Sequence, residues 1–125
     1  STPCEHSFPT RRSSDLVSKE NAVLVTLLLE QGAVLYVKTN VPQSLMLSET
    51  VNAVYGTTVN PFNRNLTCGG SSGGEGALIA MRGSPLGVGS DVGGSIRIPA
   101  AWQGLYGLRP SYNRIPCEFI GVRSS

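Results

Sequence analysis

Two serine clusters, Ser71–Ser72 and Ser95, lie 24 residues apart in a stretch, residues 68–99, that holds ten of the chain's fifteen glycines and only four charged residues. A serine hydroxyl is a weak nucleophile until a neighbouring base takes its proton. Glycines on either side let a substrate come close to the backbone, because no Cβ stands in the way. In Asp91-Val92-Gly93-Gly94-Ser95 the serine opens a predicted helix, where the first backbone N–H groups have no partner within the helix. Consecutive N–H groups in such a glycine turn can hold the oxyanion of a tetrahedral intermediate. The residue types at this spacing therefore point to acyl transfer, with a base still to be found.

Other chemistries fit less well. The pattern GxSxG of a nucleophile elbow matches around Ser71 and again around Ser72, but NRNLTC before it reads as a poor strand. The one histidine, His6, would have to serve any Ser-His-Asp triad or histidine-rich metal site. Neither Lys19 nor Lys38 follows a serine by three positions, so an SxxK enzyme is unsupported. A phosphate-binding P-loop needs Lys after its last glycine, and Gly73-Gly74 is followed by Glu75. No GxGxxG dinucleotide fingerprint occurs. A noncatalytic glycine loop that binds phosphate or another anion stands as the alternative to an enzyme.

The elements that must position these serines read as follows. Residues 18–31 predict a helix, with Ser18 as N-cap and Gly32 as the glycine just past its end. Ala33–Val37 predicts a buried strand, and a helix, a tight turn and a strand in succession point to an α/β protein. Pro42 suits the first turn of a short helix over 43–50, and 56–68 reads as loop. Glu75–Arg82 predicts a helix ended by Gly83-Ser84-Pro85, and Ser95–Trp102 a second one. Leu86–Ser90 and Leu105–Arg109 read as short strands, with Asp91–Gly94 as the turn between the first strand and the second helix.

Composition excludes several classes. The 125 residues bound the chain to one domain, 40% apolar residues with a mean hydropathy of +0.02 describe a globular protein, and the net charge is only +2. No basic stripe interleaved with aromatics suggests nucleic acid. Cys4, Cys68 and Cys117 are odd in number and form no CxxC pair, which fits reduced thiols rather than disulfides or zinc. The apolar run Ala22–Leu29 is too short to span a bilayer, and with no signal peptide the sequence favours the cytoplasm. Asn65-Leu66-Thr67 is formally a glycosylation sequon and reads as an unmodified loop.

The stretch GGSSGGEGALIAMRGSPLGVGSDVGGSIRIPAAWQGLYGLRPS resembles the amidase signature, and AVLYVKTNVPQ upstream is similar to the same family. The match is to its fungal acetamidase-like branch, near fatty-acid amide hydrolase, over roughly residues 18–116. The resemblance implies a mixed sheet flanked by helices and amide hydrolysis through a Ser–Ser–Lys triad, without metal or cofactor. It implies Ser95 as nucleophile, Ser71 as the bridging serine that relays its proton, and Ser72 as support. It implies the N–H groups of Val92, Gly93, Gly94 and Ser95 as the oxyanion hole, Asp91 and Arg97 as braces of that loop, and a cis peptide bond at Gly70–Ser71. The implied partner is a small-molecule amide; association with a membrane and a homo-oligomer of the full-length form are left open.

The departure from the family pattern is the lysine. The family's lysine motif precedes the helix at 18–31, and neither Lys19 nor Lys38 stands in it. It would fall where STPCEHSFPTRRSSDL now stands, and HSFPTRRSSDL resembles translated sequencing-adapter read-through. We therefore expect 1–16 to be a non-native leader and 17–125 to be a partial amidase domain, truncated at both ends. The expectation for the chain itself is an amidase-family sequence with negligible turnover, the alternative being a noncatalytic fragment or pseudoenzyme.

Overall fold

The computed structural model describes residues 21–115. The readings placed on Ser18, Lys19, His6, Cys4, Cys117 and the 1–16 segment lie outside these. The chain divides into two compact units, one drawn from residues up to Lys38 and from Pro110 onward, the other running from Thr39 to Arg109.

In the first unit, helix α1 spans Val23–Glu30, with Ala22 in extended conformation at its N-terminus and Val25 as its buried residue. Gly32 ends it as the sequence predicts. At φ +87°, its N–H donates to Leu29 C=O (3.0 Å), and the Ala33 N–H donates to Leu28 C=O (2.9 Å). These two reverse bonds form a Schellman motif, which needs the left-handed conformation that glycine adopts without strain. The predicted buried strand Ala33–Val37 is not found: the run belongs to no ladder of the described residues and its side chains are exposed. An apolar β-branched run predicts burial against a partner strand, and no described strand pairs with it.

The second unit opens with a single 3-10 turn, Gln43–Leu45, in place of the helix expected over 43–50. The region 56–68, read as loop, holds three short strands instead, parts of two antiparallel hairpins that begin at Val51. Strand β1 (Val51–Asn52) pairs with β2 (Gly56–Thr57), and β3 (Val59–Asn60) pairs with β4 (Asn63–Thr67). Asparagine side chains build their turns. Asn52 Oδ1 accepts the N–H groups of Val54 (3.0 Å) and Tyr55 (2.8 Å), and Asn60 Oδ1 accepts that of Phe62 (3.0 Å). An Asx side chain that satisfies backbone donors two or three residues on stands in for a backbone turn.

Helix α2 covers Gly73–Ala80 and α3 covers Arg97–Trp102, each starting two residues from its expected position. The expected strands at 86–90 and 105–109 are not found: both runs lie outside any described helix or ladder. The interior of this unit is small and polar: Cys68, Ala77, Pro99 and Ala100 are buried together with Thr50, Asn60 and Gln103. Gly76 explains the close approach of α2 and α3, since a Cβ there would lie 2.5 Å from Gln103 Nε2.

Candidate active site

Strand β4 delivers the chain into the turn that carries Ser71 and Ser72. Cys68 is fully buried, and burial pushes its thiol pKa up. Gly69 follows at φ +82°, where a Cβ would stand 2.8 Å from Pro99 Cα. The Gly70–Ser71 peptide bond is cis. Ser71 is buried, and Ser72 is half-buried at the mouth of α2.

The turn meets the second serine through its backbone. The Ser72 N–H donates to Ser95 C=O at 3.0 Å, closing the gap of 24 residues between the clusters. Ser72 Oγ reaches Ser90 C=O only at 3.5 Å. No hydrogen bond joins Ser71 Oγ to Ser95 Oγ among the described residues. Neither hydroxyl has a hydrogen-bond partner among the described residues.

Asp91 organises the 91–97 loop. Its side chain is 1% exposed and accepts five donors. Oδ1 takes the Gly94 N–H (2.7 Å) and Arg97 Nη2 (2.9 Å). Oδ2 takes the N–H groups of Ile96 and Arg97 (both 3.1 Å) and Arg97 Nε (3.0 Å). The Arg97 side-chain bonds, joined by those three backbone N–H groups, hold the Asp91 carboxyl well below the usual carboxylate range. The same contact raises the Arg97 pKa. Arg109 adds a second cation, with Nε 3.3 Å from Asp91 C=O and 4.0 Å from Oδ1.

This arrangement divides the four N–H groups expected to face an oxyanion. Gly94 donates to Asp91, so its N–H is engaged. Those of Val92, Gly93 and Ser95 have no acceptor among the described residues. Val92 and Gly93 are exposed and Ser95 is half-buried. Gly94 needs its residue type for the backbone, with φ +127° and Ile98 Cδ1 2.8 Å from where a Cβ would sit.

Several residues that hold the site escape sequence reasoning because their partners are far away in the chain. Glu75, in the first turn of α2, accepts Thr39 Oγ1 (2.7 Å) on Oε2 and the Val88 N–H (3.0 Å) on Oε1, tying two segments outside any helix or ladder to α2. Asn40 C=O accepts the Gly74 N–H at 3.2 Å, and Gln103 Nε2 donates to Cys68 C=O at 2.8 Å. Thr50 bonds both sides of the serine turn. Only glycine spacing hinted at such close packing. Lys38 is exposed, and among the described residues no group of three or more His, Cys, Asp or Glu could hold a metal ion.

The sequence matches the Amidase family over residues 6–124. It is 62% identical over 96 residues to an acetamidase of Emericella nidulans, which covers 77% of this chain and 18% of that protein. It is 54% identical over 99 residues to the vitamin D3 hydroxylase-associated protein of Gallus gallus, covering 79% of this chain and 21% of that one. A solved structure of fatty acid amide hydrolase superposes with a TM-score of 0.80 at 48% identity, over 84% of this chain and 18% of its own. The chain thus spans a minor part of the length of the relatives it matches. On sequence and on backbone alike, it belongs to the Amidase family and shares the α/β fold of the amidase signature.

Proposed function

We propose that these residues form the acyl-transfer part of an amidase that cleaves small carboxylic amides to acid and ammonia or amine. The observation that carries this reading is the 3.0 Å bond from the Ser72 N–H to Ser95 C=O, which sets both serine clusters against one donor-bearing loop. Ser95 Oγ attacks the amide carbonyl, and its proton passes to Ser71. The carbonyl oxygen becomes an oxyanion facing the N–H groups of Val92, Gly93 and Ser95. Donors of this kind contribute roughly 2.7–4 kcal/mol each to the transition state. The C–N bond then breaks, the nitrogen leaves with the relayed proton, and water releases the acid from Ser95. Ser72 supports the relay, and Asp91 and Arg97 keep the loop in shape.

The relay ends on a lysine in this reading, and no lysine of the chain stands in the matching motif. Members of a coupled catalytic unit are not additive, and loss of one removes most of the rate. The 125 residues alone are therefore expected to release no ammonia from acetamide or aryl amides, and measured release would overturn the dependence on lysine. The site itself is tested in a chimera in which residues 21–115 replace the matching stretch of the Emericella nidulans acetamidase. That chimera should hydrolyse acetamide, and Ser95→Ala should lower kcat by about 10⁴-fold or more. An S95A chimera that remains active would dismiss Ser95 as the nucleophile.

A further inference from the structure

We propose that Thr50 is a positioning residue. Its hydroxyl bridges the Gly69 carbonyl and the Gly73 N–H, and so fixes the turn that carries Ser71 and Ser72 to Ser95. The role in catalysis rests on the reading given under Proposed function; the bridge itself does not.

Thr50 is completely buried. Its Oγ1 donates to Gly69 C=O at 2.9 Å and accepts the Gly73 N–H at 3.1 Å, so one hydroxyl spans residues 70–72. Ser71 C=O lies 3.5 Å away, too long to compete for the single hydroxyl proton. The Gly73 N–H belongs to the first turn of α2, where backbone donors have no partner within the helix. A side chain at the N-cap ordinarily satisfies one of them. Ser72 occupies that position here and makes no capping bond. Thr50 supplies the acceptor from 23 residues away, and the Ser72 hydroxyl is spared that task.

The surroundings leave the bridge little freedom. The Thr50 carbonyl accepts the Thr58 N–H at 2.9 Å, which anchors its backbone beside the β1–β2 hairpin. A Cβ on Gly70 would stand 2.8 Å from the Glu49 backbone. A Cβ on Gly73 would collide with Thr50 Oγ1 and stand 2.6 Å from Cys68 Sγ. Glu49 and Thr50 therefore lie directly across the serine turn, at contact distance.

Thr50→Val keeps the branched shape and removes the hydroxyl, while Thr50→Ser keeps the hydroxyl and removes the methyl. In the full chain, amide hydrogen exchange at Gly73 should quicken about tenfold or more in T50V, whereas in T50S it should stay within about threefold of the original. Exchange at Ile96, held by Asp91, serves as the control that the fold persists. In the acetamidase chimera, T50V should lower kcat by about tenfold with KM little changed, and T50S should restore it. Gly73 exchange as slow in T50V as in the original chain would overturn the bridge. A T50V chimera with unaltered kcat would overturn its role in positioning the serines. An inactive parent chimera would count against the amidase reading alone, and Gly73 exchange would still decide the bridge.

Discussion

Asp91 concentrates more of the site's order than any other described side chain. Three backbone N–H groups and two guanidinium donors converge on one buried carboxylate, and all three backbone donors come from within six residues of it. Charge-assisted bonds are the strong ones, and removing the charge weakens every one of them together. Because the folded-state pKa lies below the ordinary value, the carboxylate's contribution to stability is fully present above about pH 4. It is lost as pH falls through the depressed pKa, so the ionised form survives well into the acid range. Asp91→Asn should cost on the order of 2 kcal/mol near neutrality. It should also flatten the acid arm of the stability curve, because Asn carries no proton equilibrium. Urea denaturation of both proteins between about pH 2 and pH 7 measures this, and parallel curves would contradict it.

At the scale of elements, the glycines of α2 reverse a familiar rule. Gly→Ala inside a helix usually stabilises by about 1 kcal/mol, because alanine loses less backbone freedom on folding. At Gly74 the new Cβ would run into the Asn40 backbone, which cannot rotate away as a side chain could. The Asn40 segment is itself pinned: its C=O accepts the Gly74 N–H, and its side chain bonds Thr58 Oγ1 at 3.0 Å and accepts Asn52 Nδ2. Gly74→Ala should therefore destabilise by about 1–3 kcal/mol, the range for overpacking, instead of stabilising. A higher midpoint in chemical denaturation would refute the close approach. The same scale shows what could be read from sequence. Helices α1, α2 and α3 were legible from their start and stop residues, and Gly32 from its place after the last periodic residue of α1, because such signals are local. Strands were not. The apolar runs at 33–37, 86–90 and 105–109 join no described ladder, whereas the polar NRNLT forms β4. An apolar run reports a tendency to be buried, while a ladder needs a partner at the right register. β4 obtains one from the adjacent Val59–Asn60, through a turn set by asparagine side chains. The site divides in the same way. Asp91, Gly93, Gly94, Ser95 and Arg97 lie within seven consecutive residues, the glycines and the serine nameable from their spacing and Asp91 and Arg97 from the family resemblance. Thr50, Glu75 and Gln103 act across 23, 36 and 35 residues, with no local signal to mark them.

For the chain as a whole, the apolar segments outside any ladder decide its behaviour in solution. Within the Thr39–Arg109 unit, Leu86 and Val88 are exposed, Leu108 is 80% exposed and Tyr106 entirely so. The run 105–109 joins no described ladder, and an unpaired apolar run can serve as a template for pairing with another chain. Exposed apolar side chains of this size favour association, and the net charge of +2 offers little repulsion against it. The chain should therefore self-associate, with a weight-average mass in sedimentation velocity that rises with concentration in the micromolar range. Placing two charges on this run, Tyr106→Lys with Leu108→Lys, should shift the distribution toward monomer, since lysines on an edge strand oppose pairing. The Asp91 network is made by Gly94, Ile96, Arg97 and Arg109, so both substitutions leave its donors in place. Slow exchange at the Ile96 amide then shows that the variant keeps the fold while losing the association. A monodisperse, cooperatively melting monomer of the original chain would refute this run as the cause. Association unchanged by the two lysines would move the cause to another exposed apolar segment.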